Sequence, residues 1–400
     1  MKVLLLTSRF PWPPDRGDRL TVFNVLRVLS ETHEVTLVSF TDGREPSGAL
    51  EQVSRYCARV ETIHLTRWRS WLQAWAGLPL LRPSQVEFYR SSRMRRLVER
   101  LVAQEAFDVV FTHLIRMAPY AANLDHPAKV LWLADSLGLA LGRSLAFAPW
   151  WRHAGIRWER HRVDRFTARA SHDFQESWAI SASDSADLER IGCQRLALVT
   201  HGVDERLYSV SRGPGPSPHV VFLGNLSVPH NVDAARYAAL EVWPAIRTAL
   251  PGARLSLVGA NPMPAVRDLA DEAAGVEVIG PIPDLLDMWA GADVMLAPLR
   301  FSTGIQNKVL EAMAAGVPVV TTPPVAEALG MQDREHLRTA VDTRGLAAAV
   351  VETLQDPAAA AARAACGRER VQRHFSWASI PDRLEMLAGA SSAPPVVGAR

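Results

Sequence analysis

The chain has 400 residues, 48% of them apolar and 22% charged, with a formal net charge of +2. That length exceeds one ordinary core and implies two domains. The near-neutral charge gives no electrostatic case for nucleic acid, no apolar run reaches the roughly 18 residues of a membrane span, and Cys57, Cys193 and Cys366 fit neither a zinc spacing nor a disulfide framework, which suits a reducing cytoplasm.

The N-terminus carries one charge and then Val3-Leu4-Leu5-Leu6, an apolar run too short for a signal peptide and suited to a buried first strand. Residues 2–8 read as a parallel strand, 20–30 as an amphipathic helix and 34–40 as a second strand. The intervening loop, 9–19, holds three prolines and three arginines around a single glycine. It reads either as a Pro-ruled turn with solvated arginines, or as a ligand loop in which Gly17 admits backbone and Arg16 supplies charge.

Residues 67–100 interleave Trp68, Trp71 and Trp75 with eight arginines. Such a stretch suits a lipid–water interface, or else a helix with its tryptophans packed inward and its arginines solvated. Residues 107–111 and 129–134 read as strands ending in Thr112-His113 and Asp135-Ser136. Open α/β sheets bind ligands at such carboxyl ends, so His113 is a candidate site residue, set against a hydrogen-bonded loop histidine. Residues 150–172 read as a long charged helix with a solvated face, and Ser181 with Asp184 as a capping box after a strand at 178–181.

A strand at 196–200 leads to His201-Gly202-Val203-Asp204 and then to the Pro/Gly-rich segment 211–218. Beyond it a second βα series begins: strands at 219–223, 254–258, 276–279, 294–297 and 317–321, with helices from about 232, at 285–289, 343–354 and 356–374. Alternation throughout implies two doubly wound Rossmann-like α/β domains facing a cleft. The expected division is an N-terminal domain 1–205, a linker 206–218, a C-terminal domain 219–375, a helix 376–390 returning to the first domain, and a disordered Ala/Ser/Pro-rich tail 391–400.

The stretch 301–320 is the most informative. Gly304 closes a loop, residues 305–315 favour helix, and Gly316 with Pro318 ends it. Helical spacing places Gly304, Lys308, Glu311 and Ala315 on one face. Free N–H groups at a helix start attract anions, a lysine one turn in can meet a phosphate, and a glutamate three residues on can accept from a diol. Phosphate beside diol is the layout of a sugar nucleotide. The alternative is an i,i+3 surface pair worth only about 0.2–0.5 kcal/mol. Lys308 is one of three lysines in the chain, against 44 basic residues in all.

Gly280-Pro-Ile-Pro-Asp284, Ala292-Asp-Val294, Pro298-Leu299 and residues 304–320 resemble the C-terminal half of retaining family-four glycosyltransferases of the GT-B fold. Phe222-Leu-Gly-Asn-Leu226 and His201-Gly-Val-Asp204 match that family's domain-joining segments, and Arg9-Phe-Pro with Asn231-Val-Asp-Ala234 look most like sugar transferases of exosortase-linked exopolysaccharide clusters in bacteria. The resemblance implies a cytoplasmic enzyme, peripheral on the inner face of the plasma membrane. It would move a sugar from a nucleotide-sugar donor to a glycan or polyprenol-linked acceptor, with retention, no metal and no further cofactor.

Glu311 would then hold the ribose hydroxyls and Lys308 the diphosphate. Arg16 and Gly17 would approach the donor phosphates, and backbone at Gly280 and Ile282 would read the base. Gly224, Asn225, Thr303, Gly304 and Ile305 complete the candidate donor site, with His113 and Lys308 as catalytic candidates. The chain departs from that pattern at Thr303, where many relatives carry a glutamate, and at Asn225 and His230, where many carry an arginine and a lysine. These departures leave a non-catalytic scaffold open, and a sugar-nucleotide epimerase is the other alternative.

Overall fold

A computed structural model describes residues 1–14, 17–77, 82–126, 128–146, 148–213, 215, 217–301 and 305–392. Arg16, Thr303, Gly304 and residues 393–400 of the expected tail lie outside the described residues. The chain divides into two units, Met1–His201 with the segment from Trp377 onward, and Gly202–Ser376.

The first unit is built on a seven-stranded parallel sheet. Its strands are β1 (Lys2–Thr7), β2 (Glu34–Thr41), β3 (Arg59–His64), β4 (Val109–His113), β5 (Lys129–Ala134), β6 (Glu176–Ala179) and β7 (Leu196–Leu198), in the order β3-β2-β1-β4-β5-β6-β7. Helices cover both faces of β1, so Val3, Leu4, Leu5 and Leu6 are all buried, which explains the unbroken apolar run. β3 is an edge strand with only Val60 and Ile63 apolar, and no apolar run in the sequence signals it.

Several boundaries differ from expectation: the strand expected at 178–181 is Glu176–Ala179, with Ser181 capping the next helix, and two further shifts bear on the candidate site. The first helix is Gly17–Leu29, so Gly17 opens the helix instead of lying in the loop. β4 runs on through His113, which ends the strand instead of following it. The last helix, Ser379–Ser392, belongs to the first unit: Leu384 is fully buried and the Arg383 guanidinium pairs with Glu176 on β6.

One helix of this unit is turned outward. Arg67–Ala76 buries the small residues Ser70 and Ala74 and leaves Trp68, Trp71, Leu72 and Trp75 56–70% exposed. The inward-packed reading of these tryptophans is therefore corrected. The helix is seated by small side chains, because Trp71 touches Phe88 only edge-on, with ring centroids 5.3 Å apart. Among the described residues no helix is long and apolar enough to cross a membrane.

The second unit holds a six-stranded parallel sheet, β8 (His219–Leu223), β9 (Arg254–Val258), β10 (Val276–Ile279), β11 (Val294–Ala297), β12 (Val319–Thr321) and β13 (Arg338–Thr339). Their order is β10-β9-β8-β11-β12-β13. Val220, Val221, Phe222, Val294, Met295 and Leu296 form its buried centre.

The segment expected to tether two domains, 206–218, is not a free linker. Glu205–Ser209 forms a 3-10 turn capped by Asp204, and the Arg212 guanidinium donates to the carbonyls of Ala292 (2.7 Å) and Gly316 (2.8 Å). Donors that satisfy these loop carbonyls tie residues 204–212 into the second unit. The helix expected at 305–315 is shorter, Asn307–Ala314, with Gln306 at its N-cap and Ile305 buried ahead of it. Gly316, at φ 73°, ends it in the left-handed conformation that glycine adopts without strain.

Candidate functional site

In each sheet the strand order reverses once, between β1 and β4 and between β8 and β11. Loops leaving adjacent strands at such a point diverge and open a crevice beyond the carboxyl ends. The chemistry-bearing side chains gather at both places.

In the second unit the loop after β8 is held by close backbone packing. The Gly224 amide donates to the Val258 carbonyl at 3.0 Å. A Cβ on Gly224 would lie 2.9 Å from Asn231 Cγ, and one on Gly259 would lie 1.8 Å from the Gly224 carbonyl oxygen. No side chain fits at either position. This brings the start of the helix Pro229–Tyr237 against the end of β8. Asn231, at the third position of that helix, is buried and donates from Nδ2 to the Asn225 carbonyl at 3.0 Å. Its Oδ1 accepts from Lys308 Nζ on the helix after β11.

Lys308 is only 8% exposed, and its Nζ lies 5.1 Å from the centroid of the Phe222 ring. A cation facing an aromatic face and a carboxamide is a built environment, so the pair Lys308 and Glu311 is not a solvated surface pair. Burial pulls the Lys308 ammonium down to about 7, opposed by Glu311. Burial pushes the Glu311 carboxyl up to about 7, opposed by Lys308 and reinforced by Asp204. Burial and the neighbouring Lys308 lower His230 to about 4, so its imidazole is neutral at pH 7. The buried Lys308 and the half-buried Glu311 are thus both shifted toward their neutral forms by loss of water, each opposed by the other's charge.

The structure brings Gly224, Asn225, Lys308 and Glu311 to one end of the sheet. Asn225 does not present its side chain to Lys308. Its Oδ1 accepts from the Ser227 amide (3.1 Å) and hydroxyl (2.7 Å), closing the turn after β8. Gly280 and Ile282 follow β10, two strands from β8, and a Cβ on Gly280 would meet nothing within 4 Å. Nearby, Asp284 accepts from Arg206 at 3.3 Å, and Arg206 pairs with Asp204, the residue that acts on Glu311. Asn231, Phe222 and Asp204 are additions to the expected set. The Asn225 to Asn231 spacing is visible in the sequence, but the amide's two partners are not.

In the first unit, Ser8 and Arg9 follow β1, and Arg116 lies on a 3-10 turn just after His113. Asp18, in the first turn of the helix Gly17–Leu29, accepts from Arg9 at 2.8 Å and from Arg116 at 3.3 Å. Arg116 also donates to Ser8 Oγ at 2.7 Å, and Arg9 to Tyr89 Oη at 3.1 Å. Burial raises the Asp18 carboxyl, but Arg9 and Arg116 outweigh it and hold it below its usual range. Arg9 is therefore bound into a cluster and is not a solvated turn arginine. A Cβ on Gly17 would meet nothing within 4 Å, so packing does not require glycine there.

His113 is 3% exposed and meets Trp132 edge-on at 5.4 Å. Burial lowers it to about 3, partly offset by Asp18. Burial thus favours its neutral form, in which one ring nitrogen can donate and the other accept. Asp18 and Tyr89 join Arg116 and His113 from distant parts of the chain, which no local spacing reveals. Among the described residues no three His, Cys, Asp or Glu side chains are placed to hold a metal ion.

Residues 217–356 match the family described as glycosyl transferases group 1. The chain is similar to glycogen synthase of Mycobacterium tuberculosis, 26% identical over 243 residues, or 58% of this chain and 57% of that protein. It is 28% identical to phosphatidyl-myo-inositol mannosyltransferase of Mycolicibacterium smegmatis over 318 residues, 76% of this chain and 78% of that protein. Among solved structures it resembles sucrose-phosphate synthase from Thermosynechococcus elongatus, with a TM-score of 0.70 at 19% identity over 98% of both chains. It also resembles Anabaena HepE in complex with UDP and glucose, with a TM-score of 0.68 at 15% identity over 98% of this chain and 100% of that one. These likenesses show the GT-B fold.

Proposed function

We propose that the chain, whose residues 217–356 carry the glycosyl transferases group 1 match, moves a sugar from a nucleotide-sugar donor to a glycan or lipid-linked glycan acceptor. The observation that carries this reading is the buried Lys308 held against Asn231 and beside Glu311, where the strand order reverses between β8 and β11. An ammonium out of water calls for an anionic partner, and a carboxylate one turn away suits a vicinal diol.

The bond from the anomeric carbon to the diphosphate breaks while one to the acceptor oxygen forms, and the acceptor proton passes to the departing diphosphate. Negative charge grows on that diphosphate in the transition state. Lys308 and the first N–H groups of Asn307–Ala314 meet that charge as it develops, so they lower the barrier as well as bind the ground state. His113, neutral, is the first unit's candidate to hydrogen-bond a sugar hydroxyl. Retention of anomeric configuration and a place in bacterial exopolysaccharide synthesis extend this reading from the sequence resemblance.

A lipid-linked acceptor would be met at the inner face of the plasma membrane. The outward face Trp68, Trp71, Leu72 and Trp75 supports this, because interfacial tryptophans keep an apolar body in lipid and a polar edge in water. Residues 67–100 carry eight arginines against two glutamates, a charge suited to anionic headgroups.

The test is calorimetric titration with nucleotide sugars. Lys308→Ala and Glu311→Ala should each weaken binding at least tenfold, about 1.4 kcal/mol. Unchanged affinity in both variants contradicts the reading. A non-catalytic scaffold is favoured by one observation, the Asn225 side chain committed to its own turn. Donor binding without turnover in the presence of acceptor would select it.

A further inference from the structure

We propose that Asn231 is the positioning residue of the donor site, an uncharged clamp that holds the Lys308 ammonium in place while leaving its charge to the donor diphosphate. This rests on the donor reading of Lys308. Asn231 is the only described side chain that accepts from Lys308 Nζ. It is itself fixed, since its Nδ2 donates to the Asn225 carbonyl and its Cγ packs only 2.9 Å from where a Cβ on Gly224 would be. The carboxamide therefore has one orientation: nitrogen to the turn, oxygen to the lysine.

The chemistry of that choice is specific. A carboxylate at the same place would form a buried ion pair with Lys308 and repel a diphosphate. An apolar residue would leave the ammonium without an acceptor, and it would shed its proton or turn away. The carboxamide fixes the amine without neutralising it. The other groups facing Lys308 do not substitute for it. His230, on the Asn231 helix, is neutral, Phe222 on β8 offers only its ring face, and Glu311 on the lysine's own helix acts through space, with Asp204 behind it.

One consequence separates this from ordinary packing. Because burial already loosens the Lys308 proton, a bound diphosphate restores it, and donor binding takes up a proton at slightly alkaline pH. In Asn231→Asp the carboxylate holds that proton beforehand, so the uptake disappears.

The experiment titrates UDP, GDP, ADP and TDP, and the nucleoside of whichever binds, into wild type, Asn231→Asp and Asn231→Ala at pH 8. It is run by calorimetry in two buffers of different ionisation enthalpy. Expected is proton uptake by wild type, at least tenfold weaker diphosphate binding by Asn231→Asp with no uptake, and nucleoside affinity within twofold of wild type. Asn231→Asp is nearly isosteric and keeps the test usable if Asn231→Ala does not fold. Diphosphate affinity and proton uptake in Asn231→Asp equal to wild type overturn the clamp while leaving the donor reading standing. Equal losses of nucleoside and diphosphate also overturn it, since they mark a merely structural role. Failure of wild type to bind any of the four overturns the donor reading and the clamp with it.

Discussion

At Lys308 burial and attraction compete. Burial pulls its pKa from 10.5 to about 7, opposed by Glu311. The Asn231 oxygen and the Phe222 face are the other groups that meet the ammonium. Lys308 and Glu311 were legible in the sequence because their relation is local, three residues on one helix. Asn231 was not, because its role depends on a partner 77 positions away. His113 offers a separate test at this scale. Unfolded, it takes a proton below about pH 6.5; folded, only below about 3. Its folded pKa is depressed, so its contribution to stability is intact above about 6.5. It is lost by about 1.4 kcal/mol for each pH unit as pH falls toward 3. In urea unfolding, His113→Gln should lose about 2 kcal/mol less than wild type between pH 7.5 and 5. The same pH dependence in both proteins would show that His113 is not held neutral.

Among the elements, the helices Arg67–Ala76 and Asn307–Ala314 reverse the usual relation between pattern and burial. The second carries a lysine and a glutamate yet is buried on nearly every side, because it runs between its own sheet and the helix Pro357–His374. The first carries three tryptophans yet turns them to solvent. Periodicity reveals that a face exists and not which neighbour it meets, so both helices were legible as helices while their orientation was not. If the outward tryptophans enter a bilayer, Trp68→Ser, Trp71→Ser and Trp75→Ser together should cut binding to vesicles containing phosphatidylglycerol at least tenfold. The circular dichroism spectrum should stay unchanged, because these side chains contribute little to the core. Equal sedimentation of variant and wild type with such vesicles would contradict a membrane role for this face. The further fall in binding expected at high salt follows from the arginines, each worth about 1 kcal/mol near an anionic surface.

For the molecule as a whole, the βα alternation made two doubly wound sheets readable, since buried parallel strands are apolar runs and helices carry a longer period. Strand order was beyond that reading. The reversal points β1/β4 and β8/β11 exist only once strands far apart in sequence are paired, and they decide where the sites lie. The division between units was also displaced, to Gly202. A Pro/Gly-rich composition signals an irregular segment, but only the bonds of Arg212 show which unit holds it. The central claim, a sugar-nucleotide donor bound between Lys308 and Glu311, is tested most directly by thermal unfolding with UDP-, GDP-, ADP- and TDP-sugars. A ligand bound by the folded state alone raises the unfolding temperature. At least one of these donors should raise it in wild type, and Glu311→Ala should abolish the rise. No rise with any donor, or an equal rise in Glu311→Ala, would contradict the claim.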